Sequence, residues 1–207
     1  RQMATSPLLM VAFAWGYFYL LAGFGLLIIP EYATILNIND QHAAALLALL
    51  GITIGAGSIV AGLISGRRIE PRLIPVGVIG LTVFFSLLAI IPPRLAAGDN
   101  GYIQVLKSNV AVLIAGAGFF AGFYIIPLQA MLQKLPPESE RGRFLGTANA
   151  ISFSFLALSS LIYWIIRPWF GNKPDNIFMV CAVLMFVGAG FFFWRLRKSG
   201  LKRGELQ

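Results

Sequence analysis

Charged residues are scarce in this 207-residue chain: they make up 12% of it, whereas 58% of its residues are hydrophobic. Globular proteins carry about a quarter charged residues, so the composition excludes an ordinary globular domain. The apolar residues form blocks of about twenty, the length at which a helix crosses a ~30 Å hydrocarbon layer. These blocks lie at residues 8–29, 43–65, 73–92, 110–133, 144–166 and 177–194. We therefore predict an all-α membrane protein with six transmembrane helices.

The sequence also lacks the side chains of most catalytic and metal sites. Its one histidine, His42, lies in an outer loop beside Asp40 and Gln41 as a solvated residue at a helix start, and its one cysteine, Cys181, lies inside the sixth block as a packing residue. No glycine-rich loop ends in Gly-Lys-Ser/Thr, and no serine stands in a Gly-x-Ser-x-Gly elbow. The six blocks contain no Asp, Glu, Lys or Arg, the usual groups of intramembrane proton relays. The sequence thus predicts no catalytic residue, no cofactor and no metal, in a segment that is not itself an enzyme.

The basic residues are distributed unevenly over the connections. When alternate connections are assigned to one side, twelve of the sixteen Lys and Arg residues fall on the side of both chain ends. The other side carries only Arg94, Lys107, Arg167 and Lys173. Because cytoplasmic loops are enriched in Lys and Arg, we expect both ends and the 66–72 and 134–143 connections to be cytoplasmic. The basic residues that give the net charge of +8 are then expected to contact anionic lipid headgroups, and no nucleic-acid partner is predicted.

The longest polar connection divides the chain into two units of three blocks. Two such units joined by an outer loop are typical of the inverted 3+3 repeat found in half of a transporter. We therefore predict a first three-helix repeat at 1–92, an outer loop at 93–109 and a second repeat at 110–194. A basic cytoplasmic tail follows at 195–207. Since the chain opens at Arg1 and ends in this tail, we expect it to be part of a longer protein.

Small and polar residues recur at spacings of three and four in four of the blocks, which places them on one face of each helix. Small residues allow the close backbone approach that drives helix association in lipid, so we expect these faces to turn into the bundle. The faces comprise Gly16, Tyr19 and Gly23; Ala44, Ala48, Gly51, Gly55, Ser58, Gly62 and Ser65; Gly118, Gly122, Gln129 and Gln133; and Asn149, Ser152, Ser159 and Tyr163.

Amides and hydroxyls are the groups that the blocks can offer to a polar solute. We select Tyr19, Gln129, Asn149 and Ser152 as candidate substrate-binding residues. Gln129 lies deep in its block and follows Pro127, which can kink the helix beside it. The alternative is that these amides hydrogen-bond to neighbouring helices and hold the bundle together.

Three stretches carry a resemblance to a known family. GAGFFAGFYIIPLQAMLQ, followed by RGRFLGTANAISF, resembles the fourth and fifth helices of the C-terminal half of the bacterial lysophospholipid transporter family, in the major facilitator superfamily. The matching residues are Pro127, Leu128, Ala130, Leu132, Gln133, Gly146 and Asn149. GAGSIVAGLISGRRIEPRLIPVGVIG is similar to the second-to-third helix connection of that half, and the resemblance covers about residues 45–155. In the superfamily's cytoplasmic motif, Gly66 stands where an acidic residue is usual, so the resemblance does not extend to its gating salt bridge.

The resemblance implies a function and a set of partners. It implies movement of lysophospholipids from the outer to the inner leaflet of the bacterial inner membrane, for reacylation in the cytoplasm. It also implies a missing N-terminal six-helix half and, as in many relatives, a fused acyltransferase or acyl-carrier-protein ligase. Two other hypotheses remain open at this point. The chain could belong to a general exporter of drugs or metabolites, or it could be the membrane anchor of a lipid-modifying enzyme.

The charge distribution gives a test of topology. In a Cys181→Ser background, we expect single cysteines at Ser139 and Gly98 to react differently with an impermeant thiol reagent added outside intact cells. Gly98 should be labelled and Ser139 protected, because the first lies on the outer side and the second on the cytoplasmic side. Equal labelling of both positions would contradict the six-span arrangement.

Overall fold

The structure is a computed structural model that describes residues 7–66, 69–97, 101–171 and 173–198. Arg1, Arg67, Arg68, Gly98 and the 199–207 part of the basic tail lie outside the described residues. Across the described ranges the chain is helical and contains no strand. The α-helices are α1 (Pro7–Ile35), α2 (Asp40–Ser65), α3 (Leu73–Ile90), α4 (Tyr102–Leu106), α5 (Asn109–Lys134), α6 (Arg141–Ile166) and α7 (Ile177–Lys198).

Local capping signals set several helix ends. The side chain of Asn39 accepts a hydrogen bond from the Gln41 amide at 3.0 Å at the start of α2. The Ser108 hydroxyl accepts one from the Ala111 amide at 3.1 Å at the start of α5. Short polar side chains at this position satisfy amides that have no partner within the helix. At the end of α2, Gly66 takes a positive φ of 57°, which suits glycine and stops the helix.

Five helical segments are long and apolar enough to cross a membrane. They are Leu9–Ile35, Asp40–Ser65, Leu73–Ile90, Asn109–Lys134 and Glu138–Phe170, and the described apolar part of α7, Ile177–Phe191, is shorter. The prediction of an all-helical, multi-pass membrane protein is confirmed. The count of six spans in a 3+3 arrangement stays a prediction.

The first helix is longer than its apolar block. The block was predicted to end at residue 29, whereas α1 continues through Pro30 and Glu31 to Ile35. Proline is tolerated in membrane helices where neighbouring groups satisfy the freed backbone. The candidate spans therefore include, near their ends, charged residues that the apolar blocks did not contain, among them Glu31 and Arg167. Both residues lie outside the predicted apolar blocks, which contain no ionisable group themselves.

The two central helices are α1 and α5. In an 18-residue apolar stretch of each, 67% and 61% of the residues are buried, compared with 11% in the corresponding stretches of α2 and α6. The most extensive helix contacts join α2 with α5 and α1 with α6, followed by α3 with α5 and α3 with α7. The bundle thus has two core helices, each flanked by a helix whose far side is not covered by any described residue.

The pair α2 and α5 runs parallel at backbone contact. A Cβ atom added to Gly57 would lie 1.9 Å from the carbonyl oxygen of Phe119. One added to Gly122 would lie 2.3 Å from the amide nitrogen of Ser58. Because side chains essentially never approach so closely, only glycine fits at these two positions. The helices meet where both sequences lack a side chain.

The predicted small face of α2 is not the face that packs against α5. An added Cβ would meet no atom within 4 Å at Gly51, Gly55 or Gly62, and these residues line the open side of the helix. The packed side instead carries Gly57 and the buried Ala61. Small residues occur on both sides of α2, so spacing alone identified a face without identifying its neighbour.

The pair α1 and α6 repeats the parallel contact. A Cβ atom at Gly16 would lie 2.7 Å from the Ile151 side chain, and one at Gly23 would lie 2.0 Å from the Ser159 hydroxyl. The predicted faces of the two helices meet at Gly23 and Ser159, whereas Gly16 meets Ile151, which lies outside the predicted face of α6. The Gly23–Ser159 contact matches the Gly122–Ser58 contact of the other pair: each joins the first helix of one predicted repeat to the second helix of the other.

The remaining helices close the bundle. Gly77 and Gly80 of α3 lie against Tyr124 and Phe120 of the antiparallel α5. The predicted outer loop contains the short helix α4, and its ends are held together by Asn109. The Asn109 side chain donates to the Pro92 carbonyl at 2.9 Å and accepts from the Arg94 amide at 2.8 Å. We call the end with the 91–108 connection the long-loop end, and the end with the 66–72 and 135–140 connections the short-loop end.

The glycine contacts give a test of packing. We expect Gly57→Leu to lower the yield and melting temperature of folded protein in detergent, since overpacking costs about 1–3 kcal/mol and here the obstacle is backbone. Gly55→Leu is the matched control, because the same change two residues away meets open space. Equal melting temperatures for the two variants would show that α2 does not pack through Gly57.

Candidate substrate site

Two of the four candidate binding residues lie within packed parts of the bundle. Ser152 is 3% exposed, and its hydroxyl donates to the Asn149 carbonyl of the same helix at 2.9 Å. The Ser152 hydroxyl hydrogen is therefore already donated within α6. Tyr19 is half-buried on α1, with its ring centroid 5.4 Å from that of Trp15 and 6.0 Å from that of Phe18. It lies in an aromatic cluster.

The candidate amides lie on uncovered surface. Gln129 on α5 and Asn149 on α6 are exposed, as is Gln133 one turn further along α5. The prediction that these amides turn into this bundle is wrong, because α5 and α6 make few contacts with each other and no other described helix covers these positions. A helical face that includes the buried Gly118 and Gly122 near its start need not stay covered at its end. Among the described residues, the amides have no hydrogen-bond partner and remain available to a ligand or another segment.

A first cavity, the long-loop cavity, lies in the half of the bundle towards the long-loop end. Its volume is about 200 Å³, and it is lined by α1, α2, α3, α5 and the start of α7. Every lining residue is apolar: Phe18, Leu21, Ala22, Gly25, Leu26, Ile29, Leu50, Ile54, Leu81, Phe85, Leu88, Ile114, Ala117, Ala121 and Phe178. An unpaired polar group would be costly to bury here, so the cavity suits a hydrocarbon ligand.

A second cavity, the short-loop cavity, lies in the opposite half. Its volume is about 450 Å³, and it is lined by Met10, Phe13, Ala14, Tyr17, Tyr124, Phe155, Val187, Gly188 and Phe191. The two tyrosine hydroxyls are already bonded. Tyr124 donates to the Ala14 carbonyl at 3.0 Å, and Tyr17 donates to the Leu184 carbonyl. The tyrosines therefore present mainly ring carbon to this cavity.

An aromatic pair separates the two cavities. Phe18 lines the long-loop cavity and Tyr124 lines the short-loop cavity. Their rings are stacked at 5.6 Å between centroids with 25° between planes. Both residues are buried, so the pair forms a packed wall at the middle of the bundle.

A charged cluster joins α1 and α6 at the long-loop end. The Arg167 Nη2 lies 2.7 Å from Oε2 of Glu31, and Nε of Arg167 donates to Oε1 and Oε2 at 2.9 and 3.0 Å. The Tyr163 hydroxyl donates to Oε1 of Glu31, and Arg167 also donates to the Gly171 carbonyl. This bidentate ion pair connects the same two helices that meet at Gly23 and Ser159.

A second acidic group lies near the start of α7, outside the membrane-spanning segments. Asp175 is buried, and burial raises the pKa of its carboxyl, while the backbone amides of Asp175 and Asn176 oppose the shift. The neighbouring Lys173 also favours the charged form. The carboxylate lies where it satisfies amides at a helix start.

Sequence reasoning missed the cavities and the ion pair. Glu31 and Arg167 each followed an apolar block as ordinary end charges, and 136 residues separate them. Their pairing depends on α1 and α6 lying side by side, for which the sequence carries no local signal. The first cavity lies between five helices and the second between four, so the residue pattern of one helix cannot predict either cavity.

The long apolar helices, the glycine contacts and the two cavities define a multi-pass helical membrane protein with room for a ligand inside the bundle. The chain belongs to the Major Facilitator Superfamily, whose family model matches residues 9–206. It is 33% identical over 175 residues to a lysophospholipid transporter LplT from Cronobacter sakazakii (strain ATCC BAA-894). The match covers 78% of this chain and 37% of that relative, so the chain spans little more than a third of its length. No solved structure matches the chain.

The Glu31–Arg167 contact can be measured with a double-mutant cycle. We expect Glu31→Gln and Arg167→Gln each to lower the melting temperature in detergent, with a coupling free energy of about 0.5–3 kcal/mol between them. The Glu138–Arg141 pair is the control, since it is 4.0 Å long and its side chains are 43% to 93% exposed, against 26% to 31% for Glu31 and Arg167. An exposed pair contributes about 0–1 kcal/mol. Additive losses at Glu31 and Arg167 would show that the two residues do not stabilise each other.

Proposed function

We propose that this chain is the C-terminal six-helix half of a transporter that moves lysophospholipids across the bacterial inner membrane for reacylation on the cytoplasmic side. The observation that carries the proposal is the 33% identity to a lysophospholipid transporter over most of the chain. The apolar cavities support a substrate with a hydrocarbon chain, because neither offers a free charged group. In this proposal the segment transports and carries no catalytic residue.

The helix contacts support the proposed 3+3 repeat. The contact of α2 with α5 and that of α1 with α6 become equivalent if α1, α2 and α3 are exchanged with α5, α6 and α7. Both pairs are parallel, and both include a glycine against a serine. This is the relation expected of inverted repeats whose helices interleave. In this arrangement α7 is the sixth span, and the divisions 1–92, 93–109, 110–194 and 195–207 keep the boundaries inferred from the sequence.

The uncovered sides of α2 and α6 support a missing partner. We propose that an N-terminal six-helix half in the same protein covers these sides, and that the basic tail leads into a fused acyltransferase or acyl-carrier-protein ligase. Both ends of the chain are cytoplasmic in this proposal, as the distribution of Lys and Arg indicates.

The exposed amides are the proposed headgroup contacts. An amide facing acyl chains would lose its hydrogen bonds to water without replacing them, so exposure of Gln129 and Asn149 supports a polar neighbour in the whole protein. We assign these two side chains to the phosphate or glycerol oxygens of the lysophospholipid. Tyr19 belongs to the proposed site through its half-buried ring, and Ser152 supports it by donating to the Asn149 carbonyl of the turn that carries the amide.

The headgroup assignment can be tested by transport per folded molecule in the full-length protein. We expect Gln129→Ala and Asn149→Ala each to reduce transport of a labelled lysophospholipid about ten- to a hundredfold, since a hydrogen bond to a charged group contributes about 1.5–3 kcal/mol. Gln133→Ala is the control, because it removes an exposed amide of the same helix nearer the short-loop end. Unchanged specific transport in both test variants would remove the amides from the site.

A further inference from the structure

We propose that the two cavities are alternative binding sites for the single acyl chain of the lysophospholipid, one for each leaflet, divided by the Phe18–Tyr124 ring pair. The inference rests on the proposed function and extends it, because it assigns the hydrocarbon part of the substrate to the interior of this chain.

The chemistry of the long-loop cavity suits an alkyl chain. None of its lining side chains is polar, and its volume of about 200 Å³ exceeds the ~150 Å³ of an engineered apolar cavity that binds benzene. A cavity with such a lining stays dry unless a hydrocarbon enters it. Since an acyl chain leaves an equally apolar bilayer, entry gains little from the hydrophobic effect, and the site can release the chain again.

The long-loop cavity is accessible from one side of the bundle. It lies between α1 and α2, which contact each other much less than either contacts its parallel partner. Leu26, part of the lining, is 50% exposed, and beside it the buried Gly25 faces the cavity, where an added Cβ would meet no atom within 4 Å. A flexible chain can therefore enter between these helices without unpacking a glycine contact.

The positions of the cavities match the two orientations of a lysolipid. In a bilayer the single chain of a lysolipid occupies the leaflet that holds its headgroup. The long-loop cavity is lined by the second half of α1 and the first half of α5, whereas the short-loop cavity is lined by Met10 to Tyr17 of α1 and the end of the described part of α7. Each cavity thus serves one leaflet, and the chain changes cavity when the headgroup crosses.

The cavities also follow the proposed repeat. Leu81 and Phe85 of α3 line the first cavity, and Val187 and Phe191 of α7, with the same spacing, line the second. Leu50 and Ile54 of α2 take the place that Phe155 of α6 takes in the other half. The two sites are therefore related by the same exchange of helices that relates the two parallel pairs. The stacked rings of Phe18 and Tyr124 lie where the two sites meet.

Photolabelling of the full-length protein in proteoliposomes tests the inference. The probe is a single-chain glycerophospholipid with a diazirine at the end of its acyl chain, and a two-chain phospholipid with the same diazirine reports contact with bulk lipid. We expect the single-chain probe to label Leu26, Ile54, Phe13 and Val187 in preference to the exposed Ile79 and Val83 of α3. Equal labelling of all six by both probes would overturn the proposal.

A cavity-filling variant completes the test. Gly25→Leu should fold, because open space surrounds its Cβ position, and should reduce labelling of Leu26 and Ile54 about tenfold by displacing the chain. Transport should fall with it, while Phe13 and Val187 keep their labels. Gly190→Leu on α7 is the matched control, as open space also surrounds its Cβ position and it lines neither cavity. Wild-type labelling and transport in Gly25→Leu would overturn the acyl-chain assignment and leave the proposed function intact. Failure of the wild-type protein to transport the probe would overturn the proposed function itself.

Discussion

Close backbone contact between helices is the constraint on which the rest of this structure depends. In lipid, two apolar helices gain little hydrophobic energy by associating, so packing and van der Waals contact must hold them together. Gly57 and Gly122 provide that contact between α2 and α5, and Gly16 and Gly23 provide it between α1 and α6. These two parallel pairs set α1 and α5 in the centre and leave α2 and α6 with an uncovered side.

The same arrangement explains why the interior contains cavities. Where glycines meet, helix axes are drawn together, and where large side chains meet, as at Phe18 and Tyr124, the axes are held apart. Space remains on either side of such a ring pair. Because the lining is apolar and the two tyrosine hydroxyls are bonded to backbone carbonyls, this space favours hydrocarbon over polar solutes.

Polar groups in this bundle divide into those used for structure and those left available. Glu31, Arg167 and Tyr163 bond to one another and hold α1 to α6, while Ser152 and Ser159 bond to carbonyls of their own helix. The side-chain amides of Gln129 and Asn149 have no hydrogen-bond partner in the described part of the chain. A substrate with a long apolar part and a small polar part would place the apolar part in the cavities and the polar part at the free amides. The proposed lysophospholipid substrate has these two parts.

The sequence by itself determined the class of the protein and the positions of its helices. Apolar blocks of about twenty residues dictate membrane helices because the bilayer core has a fixed thickness, and polar connections dictate where the helices end. Even so, α1 runs six residues past its block, to Ile35, and this extension includes Glu31, which pairs with Arg167.

Only the tertiary structure decided which face of each helix is packed and which is free. Spacing of three and four residues groups side chains on one face, but it holds equally for a face that meets another helix and for one that does not. Gly55 and Gly57 illustrate this: both lie in the same glycine-rich stretch, and only Gly57 meets a backbone. The pairing of Glu31 with Arg167, the exposure of Gln129 and Asn149 and the two cavities depend in the same way on which helices are neighbours. That choice follows from shape complementarity between distant segments, which local sequence does not encode.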